Sequence, residues 1–414
     1  MLETADGPHD HAHRAPWANL RGPSRYLAAC VAATRPKSLT AAVIPFAVGT
    51  SLACAAGPPR WPHAVPAFAA FVLMQVGCNL VNDACDFTRG ADGPRRTGPT
   101  RVSQAGVFRP GTVHLFGVLT LALSLVAMVP AALDLEYEGG RFVFVGSECA
   151  NRIQWAVVLL AVSSAAAAYA YTGGPYPLGY HALGEATVFF FFGVVAVALA
   201  RRAHLKPPKC EGARSVTHSE TYGVFVPSFG FDMSCVTRDL RHTLFDHDAL
   251  VAGAQTGALA CVLLAVNNLR DLNTDAAANK NTLAVRFGTA FVKAEIDALM
   301  AVAFLCTWYW WFTRVGVAAV SGVVAAETKA IKNWSYASTA PCLAIPLALS
   351  VSRRARALEP GHRYCDAVLA AAAALHFAFG GLLALGIWLD ARSVLETTRR
   401  CVESRGTEYV RSYT

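Results

Sequence analysis

The sequence predicts an all-α, multi-span membrane protein with about nine transmembrane helices. Three observations predict it. Of the 414 residues, 54% are hydrophobic and only 15% charged, with a mean hydropathy of +0.37, too apolar for a soluble chain of this size. Nine apolar runs cover roughly 38–56, 65–82, 112–133, 153–172, 184–200, 248–269, 297–318, 336–350 and 365–389. Their period is helical or featureless and never alternating, which favours helices over a barrel. Small residues crowd these runs, as at Ala165–Ala168 and Ala370–Ala374, and small residues let helices approach closely in lipid.

Taken in order, residues 1–25 form a polar tail with His9, His11 and His13 and no apolar signal region. Tyr26–Thr34 reads as a short interfacial helix ended by Arg35-Pro36. A transmembrane domain over 26–390 follows, interrupted by a polar extramembrane insertion at 201–247 that contains Pro207-Pro208. Residues 391–414 are a basic tail beginning as an amphipathic helix. The twelve cysteines form no CxxC or zinc pattern and read as small core residues.

The net charge of +8 would suggest nucleic acid in a soluble protein. Here it is explained by arginines in loops that face an anionic membrane surface, so no nucleic-acid partner is expected. With nine spans the N-terminal side holds 18 basic residues, against 6 on the other side once the 201–247 insertion and the C-terminal tail are set aside. The positive-inside rule puts the N-terminus, and both motifs described next, on the cytosolic side or its equivalent.

Two polar stretches each follow an apolar run. The first is Asn79-Leu-Val-Asn82-Asp83-Ala-Cys-Asp86-Phe-Thr-Arg89-Gly-Ala-Asp92, continuing to Gly98-Pro-Thr-Arg101. The second is Asn267-Asn268-Leu-Arg270-Asp271-Leu-Asn-Thr-Asp275, followed by Lys280 and Arg286. Carboxylates at the edge of hydrocarbon are costly and read as functional. Asn82 and Asp86, Asn267 and Asp271, and Asp271 and Asp275 are each four apart and share a helix face. Acids held that close require a cation, and hard oxygen ligands without His or Cys suit Mg²⁺. Two such faces opposed across a cavity would hold a diphosphate through Mg²⁺. Arg89, Arg101, Arg270, Lys280 and Arg286 would take its outer oxygens. The competing reading is a pair of helix caps with solvated loop charges. Between the motifs lies Tyr169-Ala-Tyr171-Thr-Gly-Gly-Pro175-Tyr176-Pro-Leu-Gly-Tyr180, a turn-rich, uncharged stretch. Its tyrosines either line an aromatic wall or anchor the membrane interface.

These residues resemble the UbiA superfamily of intramembrane aromatic prenyltransferases, an all-helical fold of nine spans around a central cavity. Asn82-Asp83-Ala-Cys-Asp86 with Asp92 matches the family's NDxxD-type first motif, and Asp271-Leu-Asn-Thr-Asp275 its DxxxD second motif. Gly98-Pro-Thr-Arg101-Val-Ser-Gln104-Ala-Gly106, Tyr171–Tyr180 and Thr282-Leu-Ala-Val-Arg286-Phe-Gly288 are most similar to the branch that prenylates 1,4-dihydroxy-2-naphthoate in menaquinone synthesis. The resemblance covers most of 35–390 and departs at the insertion and the two tails.

It implies that Asp83, Asp86, Asp92, Asp271 and Asp275, with Asn82 and Asn267, hold Mg²⁺ and the diphosphate of a polyprenyl donor. Lys280, Arg101, Arg270, Gln104 and Arg286, with Arg35 and Lys37 as further candidates, would contact substrate. Tyr171 and Tyr176 would shield an allylic cation. No residue identifies itself as a general base. The alternatives are another acceptor (menadiol, 4-hydroxybenzoate or homogentisate), a cation transporter, or a non-catalytic membrane protein.

Overall fold

The computed structural model describes residues 15 and 17–411, apart from 94, 95, 97, 134, 139, 140, 144–152, 206–232, 314–336 and 363. The histidine run and most of the 201–247 insertion lie outside the described residues. The helices are α1 (Pro23–Ala33), α2 (Thr40–Ala56), α3 (Trp61–Thr88), α4 (Pro110–Ala132) and α5 (Trp155–Ala170). Then follow α6 (Gly184–Ala203), α7 (Met233–Leu244), α8 (His247–Ala277), α9 (Leu283–Leu305), α10 (Ile345–Arg356) and α11 (Cys365–Arg411). A small antiparallel hairpin, β1 (Glu136–Glu138) and β2 (Arg141–Val143), follows α4.

Among the described residues, six helical stretches are long and apolar enough to cross a membrane: Pro23–Ala56, α3, α4, α6, α8 and Cys365–Ser393. The all-helical class is as the sequence predicts. The expected count of nine spans depends on three further segments, α5, α9 and 337–356, that do not meet that combined test of length and apolarity. One boundary differs. Residues 283–296, expected as loop, belong to α9, which Thr282 starts by accepting the Val285 N–H on its hydroxyl at 3.3 Å. Hydropathy misses the start of this helix because Lys293, Glu295 and Asp297 interrupt its apolar residues. Gly288, at φ 79°, kinks it after its first turn. At the C-terminal end α11 runs through position 390 without a break.

Among the described residues, the two larger of three buried apolar clusters span most of the bundle. One lies among α2–α6 and includes Phe46, Phe71, Leu160 and Leu199. The other gathers α2, α8, α9, α10 and α11 around Leu259, Ile296, Leu375 and Phe379. Small residues seat α6 on α8. A Cβ on Gly193 would lie 2.4 Å from the Gly253 carbonyl oxygen, so no larger residue fits there. Gly193 sits in a π-helical segment, Phe189–Val195, where one extra residue per turn re-aims the helix. The described part of the insertion, α7, docks on the bundle through Asp239. This buried carboxylate pairs with Arg202 at 3.1 Å and accepts the Ala156 N–H at 3.2 Å.

Candidate active site

The two polar motifs are the last turns of α3 and α8, and the fold brings these ends together. Helix α3 continues through Thr88, so Asn82, Asp83 and Asp86 are helical, as their spacing predicts. Gly90, at φ 82°, then reverses the chain, and the Ala91 and Asp92 N–H groups return to the Asp86 carbonyl at 2.9 and 3.2 Å. This tight turn buries Asp92. Helix α8 ends at Ala277, and just beyond it Asn279, with a left-handed φ of 55°, folds the Lys280 N–H back onto the Asp275 carbonyl at 2.8 Å.

The Lys280 ammonium therefore stands between the motifs, 3.3 Å from Asp86 and 3.6 Å from Asp275. Burial works against its charge, but Asp86 and Asp275 outweigh burial and hold the ammonium above its ordinary value. Tyr180 completes this knot. Its hydroxyl donates to Asp86 at 2.9 Å, and the Arg89 and Lys280 cations lie 5.3 and 5.4 Å from its ring centre. Burial first, then the Asp86 charge and hydrogen bond, push its phenol well above its ordinary value, so it remains a donor.

The other acids have separate partners. Asp83 accepts the Val102 and Ser103 N–H groups at 3.3 and 3.1 Å and fixes the GPTR segment against α3. Asp92 pairs with Arg96 and, at 3.7 Å, with Arg101. Asp271 receives a bidentate pair from Arg270, both bonds 2.8 Å, and the remaining Arg270 nitrogen reaches Asp366 of α11 at 2.9 Å. Gly98 lies flat on that guanidinium, since a Cβ there would be 2.8 Å from its carbon. Asn82 accepts the Thr172 hydroxyl at 2.6 Å, and Arg89 straps the same loop by donating to the Thr172 and Gly174 carbonyls. Gln104 braces the 93–104 segment by donating to the Gly93 carbonyl at 2.9 Å and accepting the Arg101 N–H. The Asn267 amide turns back to the Leu263 carbonyl at 3.0 Å.

Two arginines keep buried N–H groups that make no hydrogen bond. Arg35 adopts a left-handed backbone, at φ 51°, and buries its Nε and Nη2 without a hydrogen bond. Arg101 Nε and Asp92 Oδ2 are likewise buried without one. Burial, and behind it the neighbouring Arg35 and Arg96 charges, pull the Arg101 guanidinium well below its ordinary value. A diphosphate would satisfy these donors.

A divalent cation also fits the chemistry of the donors, because Asp86 and Asp275 from opposed helices already share one cation, the Lys280 ammonium. Among the described residues no three His, Cys, Asp or Glu side chains converge tightly enough to hold a metal by themselves. The seven oxygen-bearing residues expected as ligands thus form no single cage, and a metal here would share its ligation with phosphate oxygens and water.

One turn below Asn82, Cys78 opens onto an apolar cavity of about 650 Å³, mouth included, lined by Phe71, Met74, Tyr171, Phe191 and Phe192. Tyr171 is therefore in the site. Tyr176 is 58% exposed and stacks on His181 at 3.7 Å, and Arg286 and Lys37 are exposed. Among the described residues none of these three bonds to the acid cluster. Sequence reasoning missed Arg96, Thr172, Asp366 and the singling out of Tyr180 from its three neighbours. Only tertiary contact distinguishes these four.

The UbiA prenyltransferase family profile matches residues 42–204. The 1,4-dihydroxy-2-naphthoate octaprenyltransferase of Mycobacterium tuberculosis is 32% identical over 67% of this chain and 76% of its own length. That of Mycobacterium leprae is 31% identical over 67% and 75%. A UbiA homolog from Archaeoglobus fulgidus, solved with DMAPP and Mg²⁺, covers 86% of this chain and 99% of its own at 15% identity and a TM-score of 0.47. Identity of that degree over three quarters of a relative is decisive: the chain is an integral membrane prenyltransferase and belongs to the UbiA prenyltransferase family.

Proposed function

We propose that this prenyltransferase moves a polyprenyl group from polyprenyl diphosphate to 1,4-dihydroxy-2-naphthoate, with loss of CO₂, in menaquinone synthesis, and that it requires Mg²⁺. The observation that carries the reading is the buried meeting of two acid motifs with arginines whose N–H groups lack acceptors, directly above an apolar cavity. The similarity to two octaprenyltransferases supports the acceptor.

The diphosphate lies among Arg35, Arg101 and Lys280, which balance its charge, while Arg270 orients Asp271 rather than touching phosphate. Mg²⁺, when bound, supplies positive charge against the diphosphate oxygens and so favours their departure. Asp86 and Asp275, which already share the Lys280 cation, would hold it together with Asp92, Asp271, Asn82 and Asn267, while Asp83 fixes the wall behind. As the C–O bond lengthens, the cations hold the charge that gathers on the leaving group. The isoprenoid tail occupies the apolar cavity and leaves sideways into lipid. Tyr171, on the cavity wall, presents its ring to the allylic carbon. The basic-residue asymmetry supports a site opening to the cytosolic side or its equivalent.

The test incubates membranes containing the protein with Mg²⁺, a polyprenyl diphosphate and 1,4-dihydroxy-2-naphthoate, and seeks the decarboxylated, prenylated product by mass spectrometry. Product that vanishes with EDTA is expected. Product only with menadiol or 4-hydroxybenzoate would overturn the acceptor, and none with any acceptor would overturn the reading.

A further inference from the structure

A buried carboxylate outside both motifs is the sequence neighbour of residues that pack on and line the cavity wall. Glu185, on the first turn of α6, is 9% exposed and accepts the Asn268 amide N–H on Oε1 at 2.7 Å. Among the described residues, Asn268 is the one other residue whose side chain is hydrogen-bonded to it. A carboxylate buried at the start of a membrane helix is costly and needs a use. Asn268 precedes Asp271 by three residues and Asp275 by seven, so all three lie on one face of α8. The Glu185–Asn268 pair is thus about one turn below the second acid motif, toward the membrane interior.

The cavity is adjacent. Thr187, two residues after Glu185, lines it, and so does Tyr171. A Cβ on Gly184 would lie 3.1 Å from the Tyr171 hydroxyl, and Glu185 is the foremost charge acting on that phenol. Glu295 of α9 is a second carboxylate within electrostatic reach of Glu185. Glu185 is therefore the carboxylate that follows Gly184, which packs on the Tyr171 hydroxyl, and that precedes the cavity-lining Thr187 by two residues, about one turn below the second acid motif. Its backbone is held too, since the Cys261 thiol donates to the Glu185 carbonyl at 3.2 Å.

We propose that Glu185, oriented by Asn268, binds a ring hydroxyl of the aromatic acceptor and takes its proton. The inference rests on the aromatic-diol acceptor proposed above. In the step, the acceptor O–H bond breaks and the proton passes to the Glu185 carboxylate. The electron pair left on the acceptor oxygen flows into the ring, and a ring carbon forms the new C–C bond to the allylic carbon. The allylic C–O pair leaves with the diphosphate. Loss of CO₂ from a carboxylated acceptor then returns an electron pair to the ring, and Glu185 gives its proton back to the oxygen. The aromatic diol is restored, and the carboxylate is free for the next turnover. Asn268 is a positioning residue, because it bonds to Glu185 and not to the acceptor.

The informative variant is Glu185→Gln, whose amide oxygen still accepts from Asn268 but cannot take a proton. If Glu185 merely braces α8, this variant is as active as the wild type. If it is the base, turnover at saturating acceptor falls about 100-fold or more, Glu185→Asp recovers part of it, and Asn268→Ala falls less than Glu185→Gln. Binding of farnesyl thiodiphosphate with Mg²⁺ stays within about twofold in all three variants, which establishes that the donor site is intact. A separate binding measurement compares 1,4-dihydroxy-2-naphthoate with its dimethyl ether, which has no ring O–H. The wild type is expected to prefer the diol, and Glu185→Ala to lose that preference. Wild-type turnover in Glu185→Gln overturns the inference. A wild type that turns over no diol refutes the proposed acceptor instead, and equal binding of diol and ether then overturns the role of Glu185 independently.

Discussion

The ends of α3 and α8 carry matching acids, yet the two are built differently. At the end of α3 the backbone does the fixing: the Asp83 carboxylate holds two N–H groups of the GPTR segment, and the Asp86 main-chain carbonyl closes the turn that places Asp92 against Arg96 and Arg101. At the end of α8 the acids are tied to side chains, Asp271 to Arg270 and Asp275 to Lys280. A backbone donor cannot move away without unfolding its loop, whereas an ammonium on a four-carbon stem swings aside for a stronger cation or toward a phosphate. On this comparison the first motif is a wall, and the second is the side expected to rearrange when substrate binds. Asp86 belongs to both, fixed on α3 but addressed by Lys280 and Tyr180 from across the site.

The sharpest way to break this comparison is to remove the acids that meet at Lys280. Asp86→Ala and Asp275→Ala are each expected to cut transfer about 100- to 1,000-fold while leaving the amount of protein in the membrane unchanged. Radiometric transfer assays alongside immunoblots of the membrane fraction check both. Loss of protein in the Asp275 variant would mean that the α8 end is a wall as well. Asp83→Ala should behave differently. It strands two buried N–H groups at about 1–3 kcal/mol each, so its thermal midpoint in detergent should fall along with activity. An Asp83→Ala protein as stable as the wild type would remove the distinction.

Much of this was legible in the sequence, for a physical reason. Burying carboxylates in a membrane helix is expensive enough that their presence and four-residue spacing identify the facing surfaces before any contact is known. Hydropathy found the helices whose charges lie at their ends and missed the start of α9, where Lys293, Glu295 and Asp297 sit in mid-helix. Tyr180 and Tyr176 are equivalent as letters in one tyrosine-rich loop; the Arg89 strap and the Leu178–Tyr180 turn decide which of them faces inward. Arg270 reads as a phosphate contact until Asp366, nearly a hundred residues away, is seen to take its last nitrogen. Glu185 did leave a signal, a lone acid at the head of an apolar run, but it has no motif partner in sequence because Asn268 is supplied by another helix.

A milder change sharpens the α8 side alone. Gly98→Ala drives a methyl into the Arg270 guanidinium, which must shift and carry Asp271 with it. Gly98 is not among the positive-φ glycines, so the backbone tolerates alanine and only the contact is disturbed. A roughly tenfold drop in turnover with an unchanged thermal midpoint is expected, about 1.4 kcal/mol in the barrier. Kinetics at saturating donor would reveal it. An equal loss in stability would move Arg270 from orienting Asp271 to holding α11 against α8.

The smallest expected effect belongs to Tyr180→Phe. It keeps the ring beneath Arg89 and Lys280 and deletes only the hydrogen bond to Asp86. A single such bond, to a charged acceptor but in a network that Lys280 still supports, is worth about 1.5–3 kcal/mol at most. Part of that is recovered if Lys280 moves closer to Asp86. If Asp86 is held chiefly by α3, as the wall reading requires, its carboxylate stays in position without the phenol. The loss should then be only a few-fold, falling on the Mg²⁺ concentration for half-maximal rate rather than on the maximal rate. A Mg²⁺ titration of both proteins reads this directly. A loss as large as that of Asp86→Ala would mean instead that the tyrosine, not the helix, fixes the acid, and the first motif would be as movable as the second.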